Sequence, residues 1–206
     1  ISLLKKYNIT TFCAPPTIYR FLIKEDLSQY DFSSLKHSST AGEALNPEVF
    51  KQYYRLTGQK IYEGFGQTET TVILGNFAFS KMKLGSLGLP SPIYDVELLD
   101  DEGNIVPNGT VGEISIRIKK NQVGLVANYK DDPELTQKSL GGEFYRTGDL
   151  ASTDPDGYFW FEGRKDDIIK SSGYRIGPYE VESALMEHAS VLECAITGVP
   201  DPVRGQ

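Results

Sequence analysis

The 206-residue chain has few cysteines, no excess of positive charge and no long apolar run. Its two cysteines, Cys13 and Cys194, lie far apart in sequence and lack metal-ligand spacing. We therefore expect two small buried side chains in a reducing compartment, with a disulfide as the alternative. The formal net charge of -7 argues against a nucleic-acid partner, because no basic stripe is present to replace counterions along a phosphate backbone. No run approaches the roughly 18 apolar residues of a transmembrane segment, and the first residues do not have a signal-peptide pattern.

Residues 1–83 predict an α/β arrangement, because short apolar strands alternate with amphipathic helices. Strands are predicted at 10–14, 35–40 and 60–63. Between the first two, Ile18, Phe21 and Leu22 are predicted to form the buried face of a helix. A second helix is predicted to start at Asn46 and to stop at Gly58. Glycine-rich segments follow the second and third strands, at the edge where parallel sheets bind ligands.

Residues 84–165 change to a period of two, with Ile114, Ile116 and Ile118 alternating with polar residues. Turn signals recur at 101–104, 107–109, 141–142 and 154–157. This pattern predicts a small β-barrel or a curled sheet.

The segment 163–182 concentrates cations, carboxylates and glycines around one short apolar strand. Residues 171–173 predict a turn whose N–H groups face a ligand, and Pro178 predicts the first position of a helix. Val181, Ala184, Leu185 and His188 share one face of that helix. The alternative is a charged hairpin on a surface, which does not explain the glycines on both sides of an arginine. The two histidines, at 37 and 188, belong to no triad or metal-ligand spacing and are interpreted as structural.

Three motifs carry a resemblance to a known family. The segments 62–69 (YEGFGQTE), 145–150 (YRTGDL) and 163–182 resemble signature motifs of the adenylate-forming acyl-CoA synthetases, the AMP-binding ligases, in family order. The segment 171–178 (SSGYRIGP) is most similar to that of the medium-chain and acetyl-type members. The resemblance spans nearly the whole chain and implies three parts. These are the end of a large N-terminal α/β part (1–83), a distal β-barrel (84–165) and the start of a small α+β C-terminal domain (166–206).

The resemblance implies a nucleotide site on the N-terminal part. Its residues are Gly42, Glu43, Ala44, Glu63, Gly64, Phe65, Gly66, Gln67 and Thr68. Phe65 offers a flat ring on which a base can stack, and a core position is its alternative role.

Thr68 and Glu69 are the predicted catalytic residues. Adenylation places negative charge on the α-phosphorus, which calls for a hydroxyl donor and a carboxylate that holds Mg²⁺. The resemblance assigns the phosphate to Thr68 and the metal to Glu69. The alternative is that the pair caps a helix.

Asp149 is the predicted ribose ligand, assisted by Arg164. A carboxylate can accept hydrogen bonds from two vicinal hydroxyls, and the preceding glycine would let a sugar approach the backbone. A turn aspartate bonded to its own backbone is the alternative.

The C-terminal candidates come from the resemblance alone. It implies that Gly66 and Arg175 lie near the acyl-adenylate and that Asp166 is the hinge between half-reactions. It also implies a coenzyme A site, formed by Ser172, Gly173, Tyr174 and Arg204. Acetate-specific members carry Trp where this chain has Gly66, so we expect an acid longer than acetate.

The parent protein is thus expected to be an acid–thiol ligase of fatty acid metabolism, using ATP, Mg²⁺ and coenzyme A. Its compartment is expected to be the cytoplasm, or an organelle matrix if a transit peptide lies upstream. The chain starts without methionine and lacks the family's phosphate loop and C-terminal lysine. We therefore expect an inactive fragment of a longer enzyme. The alternatives are an adenylation enzyme that loads a carrier protein and a nucleotide-binding module without catalysis.

Overall fold

The computed structural model describes residues 1–186, 188, 190–191 and 194–205. The chain divides into two compact units, Ile1–Ile93 and Tyr94–Gln206, and each is described by itself. The boundaries expected near residues 84 and 166 stay predictions. None of the helices in the described ranges is long and apolar enough to cross a membrane.

The first unit is a five-stranded sheet with helices between its parallel strands. Strands β1, β2 and β3 run parallel, and β4 and β5 continue the sheet antiparallel, in the spatial order β1-β2-β3-β4-β5. The strands are β1 Thr11–Cys13, β2 His37–Ala41, β3 Ile61–Gly66, β4 Val72–Gly75 and β5 Leu89–Pro90. The helices are α1 Ser2–Lys6, α2 Pro16–Leu22, α3 Pro47–Thr57 and a 3₁₀ turn Leu27–Gln29. The α/β prediction is therefore confirmed.

Helix α3 has the predicted ends. The Asn46 side chain accepts the Glu48 amide at 2.8 Å, and Gly58 ends the helix with φ 70°. That left-handed conformation favours glycine, which is why the chain can turn here toward β3.

The predicted buried face of α2 is wrong for Ile18 and Phe21, whereas Leu22 is half-buried and packs against the buried cluster of this unit. Ile18 and Phe21 are 40% and 58% exposed, whereas Tyr19 is fully buried. The Tyr19 hydroxyl donates to the Ser39 carbonyl at 3.0 Å, and its ring packs edge-on against Tyr53 at 5.0 Å. A satisfied hydroxyl makes this burial favourable, so the helix turns its tyrosine inward.

The second unit contains an antiparallel sheet in the order β6-β7-β8-β9 and a separate hairpin, β10-β11. Its strands are β6 Val96–Leu99, β7 Gly112–Arg117, β8 Phe144–Thr153, β9 Phe159–Arg164, β10 Ile169–Ser171 and β11 Tyr174–Ile176. Its helices are α4 Pro133–Leu140 and α5 Pro178–Met186. In the described part of the chain, β6 and β9 are the edges of an open sheet, so the curled-sheet alternative fits and a closed barrel does not.

The expectation that both cysteines are buried is wrong. Cys13 is exposed and Cys194 half-buried, and both thiols are free. Helix α5 begins at Pro178 as predicted, yet it has no buried residue among those described, and Leu185 is 43% exposed. Strand β7 ends at Arg117, one residue before Ile118, and the expected alternation is not seen in its burial, because Glu113 and Ser115 are buried together with Ile114 and Ile116.

Both histidines make structural contacts. The His37 ring stacks on Tyr62, with 4.6 Å between ring centroids. Nδ1 of His188 accepts the Ser190 amide at 3.2 Å.

Candidate functional site

The loop after β2 carries the first group of predicted nucleotide residues. Gly42 has φ 95°, which favours glycine and turns the chain away from the sheet. The Glu43 carboxylate accepts the Thr17 hydroxyl at 3.0 Å and pairs with Arg20 at 3.3 Å. These contacts direct the Glu43 side chain to α2, although the side chain is still 46% exposed. Thr17 and Arg20 were missed by the sequence analysis.

Glu63 is a buried carboxylate that anchors the same loop. Its Oε1 accepts the Leu45 amide at 2.8 Å. Burial raises the pKa of Glu63 from 4.5 to about 7, because the hydrogen bond only partly offsets the cost of desolvating the charge. The side chain therefore supports the loop, and its charge varies near neutral pH.

Residues 64–66 form the end of β3, although the sequence predicted a glycine-rich turn. A Cβ on Gly66 would lie 2.3 Å from the Thr71 carbonyl oxygen, so a close backbone approach requires glycine here. A Cβ on Gly64 would touch the Val72 side chain at 3.4 Å. Phe65 is half-buried and lies outside the buried cluster of this unit.

The turn after β3 presents Thr68 and Glu69. The Thr70 hydroxyl accepts the Gln67 amide at 2.9 Å, and the Thr70 amide donates to the Gln67 carbonyl at 3.1 Å. Thr68 is exposed and Glu69 is half-buried. Strand β4 follows, so the helix-capping alternative is wrong. Thr70 was missed by the sequence analysis, although a threonine beside Thr-Glu in a turn is a recognisable signal.

The donor set on this turn fits a magnesium ion that is shared with a substrate. Mg²⁺ is commonly held by one or two carboxylates together with substrate phosphates and water. Within the described ranges, no group of three or more His, Cys, Asp or Glu side chains could hold a metal. Glu69, on the exposed turn beside the Thr68 hydroxyl, therefore fits as a single protein ligand and not as part of a protein cage.

In the second unit, Asp149 and Arg164 face each other across β8 and β9. They are register partners, and Arg164 Nη1 lies 3.5 Å from Asp149 Oδ1. Asp149 is buried, and it lies in the middle of β8 rather than at the strand end expected. The turn-aspartate alternative is therefore wrong.

Gly148 brings the Arg164 guanidinium close to the backbone. Its φ is 78°, and a Cβ would lie 3.2 Å from Arg164 Nη2. We expected a sugar to approach the backbone here. The space is instead occupied by the guanidinium of Arg164, which is predicted to bind the same sugar.

Arg164 also pairs with the predicted hinge residue. Its Nε and Nη2 lie 3.1 and 3.3 Å from the two carboxylate oxygens of Asp166. This two-point contact lowers the pKa of Asp166 and raises the pKa of Arg164. One guanidinium thus joins the predicted ribose ligand to the predicted hinge.

The predicted coenzyme A residues lie together at the β10-β11 hairpin. Ser172 and Gly173, with φ 50° and 85°, form its two-residue turn. The Ser172 amide donates to the Arg204 carbonyl at 2.9 Å, so this N–H does not face a ligand as expected. Tyr174 is 73% exposed, and Arg175 Nη2 lies 3.9 Å from Asp101 Oδ2.

The comparison with family models decides the family. Residues 1–124 match the AMP-binding enzyme family, and residues 180–206 match the AMP-binding enzyme C-terminal domain. The chain belongs to the AMP-binding enzyme family. The resemblance to the adenylate-forming acyl-CoA synthetases is thereby confirmed.

Relatives agree with this family assignment. The chain is 53% identical over 204 residues to the mitochondrial acyl-coenzyme A synthetase ACSM3 of Rattus norvegicus, covering 98% of this chain and 35% of the relative. It is 53% identical over 207 residues to the mitochondrial ACSM5 of Homo sapiens, covering 100% and 36%. The chain thus spans about a third of the length of these AMP-binding enzymes.

Solved structures have the same fold. The anthranilate CoA ligase AuaEII, in complex with anthranoyl-AMP, has a TM-score of 0.88 at 35% identity and covers 98% of this chain and 38% of that one. A benzoate CoA ligase from Burkholderia xenovorans LB400 has a TM-score of 0.84 at 31% identity, covering 98% and 40%.

Proposed function

We propose that the protein to which this chain belongs is an ATP-dependent acyl-CoA synthetase. The observation that carries the proposal is the turn with an exposed Thr68 and a half-buried Glu69 at the carboxyl edge of three parallel strands. An exposed hydroxyl beside a carboxylate suits a phosphate with its metal ion. The acyl-coenzyme A synthetases among the relatives, and the CoA ligases among the solved structures, support this reading.

The first half-reaction is adenylation of the acid. A carboxylate oxygen of the acid attacks the α-phosphorus of ATP, a new P–O bond forms, and pyrophosphate leaves. Thr68 donates a hydrogen bond to the α-phosphate, and Glu69 would hold Mg²⁺, which offsets the charge on the phosphates. In the first unit, the proposed residues for the base are the 42–44 loop and Phe65. In the second unit, Asp149 is the proposed acceptor of ribose hydroxyls, assisted by Arg164.

The second half-reaction transfers the acyl group to coenzyme A. The thiol sulfur attacks the acyl carbonyl and loses its proton, the C–O bond to phosphate breaks, and AMP leaves. The exposed hairpin at 172–175, with Arg204 tied to it, is the proposed coenzyme A surface. Asp166 is the proposed hinge, because hinges absorb dihedral changes at a few residues where elements end.

The acid is proposed to be longer than acetate. Gly66 carries no side chain that could close an acyl site, and each buried methylene of the acid adds about 0.8 kcal/mol of binding. The close Thr71 carbonyl complicates a Gly66→Trp test, since any side chain must first displace that backbone. We therefore pair Gly66→Ala with Gly66→Trp and measure kcat/KM for acetate, butyrate and hexanoate. Selective loss of hexanoate in Gly66→Trp, beyond the loss in Gly66→Ala, supports an open acyl site; equal losses for all acids contradict it.

The compartment proposed is an organelle matrix rather than the cytoplasm. The names of the relatives place those enzymes in mitochondria. A fusion of the full-length protein to a fluorescent marker tests this assignment.

The decisive experiment uses the full-length protein in a pyrophosphate-exchange assay with ATP and acids of graded chain length. Glu69→Gln should lower the exchange rate about 100-fold or more, in the range found when one transition-state electrostatic group is lost. Glu102→Gln, at an exposed turn, is the matched control and should leave the rate unchanged. Absence of acid-dependent exchange in the wild type contradicts the proposal and favours a non-catalytic module. Exchange without any acyl-CoA product, in the presence of coenzyme A, favours the loading of a carrier protein.

A further inference from the structure

Glu113 in β7 is a buried carboxylate outside the three signature motifs, and three residues of the second unit, from β8 and from the segment after β9, contact it. Its side chain is 7% exposed. Nε and Nη2 of Arg146 lie 2.9 and 2.8 Å from Glu113 Oε2, and Lys165 Nζ lies 3.2 Å from the same oxygen. The Gly148 amide donates to the other oxygen, Oε1, at 3.0 Å. The carboxylate therefore divides its contacts between its two oxygens.

Oε1 supports the backbone next to the predicted ribose ligand. Gly148 immediately precedes Asp149, and its positive φ makes the path of this strand dependent on local contacts. The neighbouring Thr147 hydroxyl donates to the Ile114 carbonyl at 2.8 Å and accepts the Asp149 amide at 3.1 Å. Together with the Glu113 contact, these bonds fix the direction in which the Asp149 side chain leaves the backbone.

Oε2 supports the residue before the predicted hinge. Lys165 immediately precedes Asp166, and its ammonium also lies 2.6 Å from Asp101 Oδ1. The contacts with Asp101 and Glu113 raise the pKa of Lys165, so the lysine stays charged. Its amide donates to the Gly148 carbonyl at 2.8 Å, which joins the hinge segment to β8 by the main chain as well.

We propose that Glu113 is a positioning residue that couples the ribose segment to the hinge segment. Through Oε1 it positions Asp149, and through Oε2 it holds Lys165 and therefore the approach to Asp166. The proposal rests on the proposed function, because it assigns these segments to the two half-reactions. It follows that the Lys165 contact biases the position of the hinge, whereas the Gly148 contact affects the affinity for the nucleotide.

The Lys165 arm is tested in the full-length enzyme with Lys165→Met. We measure pyrophosphate exchange and, separately, thioester formation from a preformed acyl-adenylate. The ratio of the two rates should change about 3- to 10-fold, the size expected for a partly exposed ion pair with one buried partner, while KM for ATP changes less than about twofold. Lys119→Met removes an exposed lysine that pairs with Asp95 and should leave both rates unchanged. A ratio equal to that of Lys119→Met overturns the coupling.

The Gly148 arm is tested by comparing Glu113→Gln with Glu113→Ala, at a temperature where circular dichroism shows both variants folded. Glutamine keeps an oxygen that can accept the Gly148 amide, and alanine does not. KM for ATP should rise about 10-fold in Glu113→Ala. Most of this rise should be absent in Glu113→Gln. The ratio of half-reactions should change in both variants. An equal rise of KM in the two variants overturns the role of Oε1.

Amide hydrogen exchange gives a readout that does not depend on turnover. In Glu113→Ala, exchange should accelerate about 10-fold at Gly148 and over residues 164–167, because the contact that Glu113 makes with each segment is lost. In Lys165→Met only residues 164–167 should accelerate. An unchanged pattern overturns the proposal even if the enzyme is active. The expected pattern in a protein without acid-dependent pyrophosphate exchange supports the positioning and contradicts the proposed function alone.

Discussion

Glu63 in the first unit and Glu113 in the second occupy similar places beside the predicted nucleotide segments. Each is a buried carboxylate that accepts one backbone amide, from Leu45 at 2.8 Å and from Gly148 at 3.0 Å. Their surroundings differ. Glu113 is paired with two cations, whereas the pKa of Glu63 is raised to about 7 by burial.

This difference shows two ways to hold a loop with a buried carboxylate. Where cations stabilise the ionised form, the carboxylate depends on its ion pairs, and the structure is destabilised when one partner is removed. Burial destabilises the ionised form, so the anchor depends on pH. The stability of the first unit should therefore depend on pH through Glu63. The stability of the second unit should depend on the charged groups that pair with Glu113.

Glu113→Gln should have the largest effect on stability. Removing one partner of a buried ion pair costs about 3–5 kcal/mol, and the partial exposure of Arg146 and Lys165 places this case at the lower end. The thermal unfolding midpoint at neutral pH should fall by several degrees. Glu102→Gln, an exposed glutamate of the same unit, should leave it unchanged. Equal midpoints for the two variants would show that the ion pairs around Glu113 are not stabilising.

Asp149→Ala should weaken the use of ATP without unfolding the protein. It removes charge-assisted hydrogen bonds worth about 1.5–3 kcal/mol each, so kcat/KM for ATP should fall about 10- to 100-fold. Arg164 keeps its two contacts with Asp166, which limits the structural damage. Asp149→Asn keeps one acceptor oxygen and should give an intermediate loss. An unchanged kcat/KM for ATP in the alanine variant would place Asp149 outside the nucleotide site.

Glu63→Gln should remove a pH dependence of stability. The folded carboxyl binds its proton more tightly than the unfolded one, with a pKa of about 7 against 4.5. Its contribution is therefore fully present below the unfolded value and is lost as pH rises toward 7. The loss is at most about 1.4 kcal/mol for each pH unit in that window. Glutamine still accepts the Leu45 amide but carries no charge.

The check is the unfolding midpoint of both proteins at pH 5, 6, 7 and 8. The difference should grow in favour of Glu63→Gln up to about pH 7 and then level off. Glu25→Gln, at an exposed position of the same unit, should run parallel to the wild type. Parallel curves for Glu63→Gln as well would mean that Glu63 is charged in the folded protein throughout this range.

Thr70→Val should have the smallest effect. It removes the hydroxyl that closes the turn carrying Thr68 and Glu69, a net hydrogen-bond loss of about 0.5–1.5 kcal/mol. The rate of pyrophosphate exchange should fall about 2- to 10-fold with little change in the unfolding midpoint. Thr70→Ser keeps the hydroxyl and should restore the rate. A serine variant as slow as the valine variant would assign the effect to the lost methyl group.

The sequence predicted well where the signals are local. The Asn46 cap and the Gly58 stop belong to one helix, and both act as expected. The hairpin turn at Ser172 and Gly173 is equally local. Burial of α2 was predicted wrongly, because the inward turn of Tyr19 depends on a carbonyl 20 residues away at Ser39.

The parts of the candidate site that were missed depend on distant partners. Glu113 meets Arg146 and Lys165 across 33 and 52 residues, and no spacing in one segment indicates such a meeting. Asp149 could be recognised from its motif, but its position in the middle of β8 depends on pairing with β9. Glu43 could be recognised as well, yet its contact with Thr17 depends on where α2 lies.

The bond between Ser172 and Arg204 has an evolutionary consequence. The Ser172 amide and the bridge between Ser171 and Gly205 join the hairpin to a segment some thirty positions further along the chain. Lengthening a loop costs little free energy, since each doubling adds only about 0.6 kcal/mol. Descendants of this chain can therefore gain residues in the irregular segment 197–200 without separating the arginine from the hairpin. Selection on this surface should act on the joined ends and on Tyr174 and Arg175 between them, while the length of that segment is free to change.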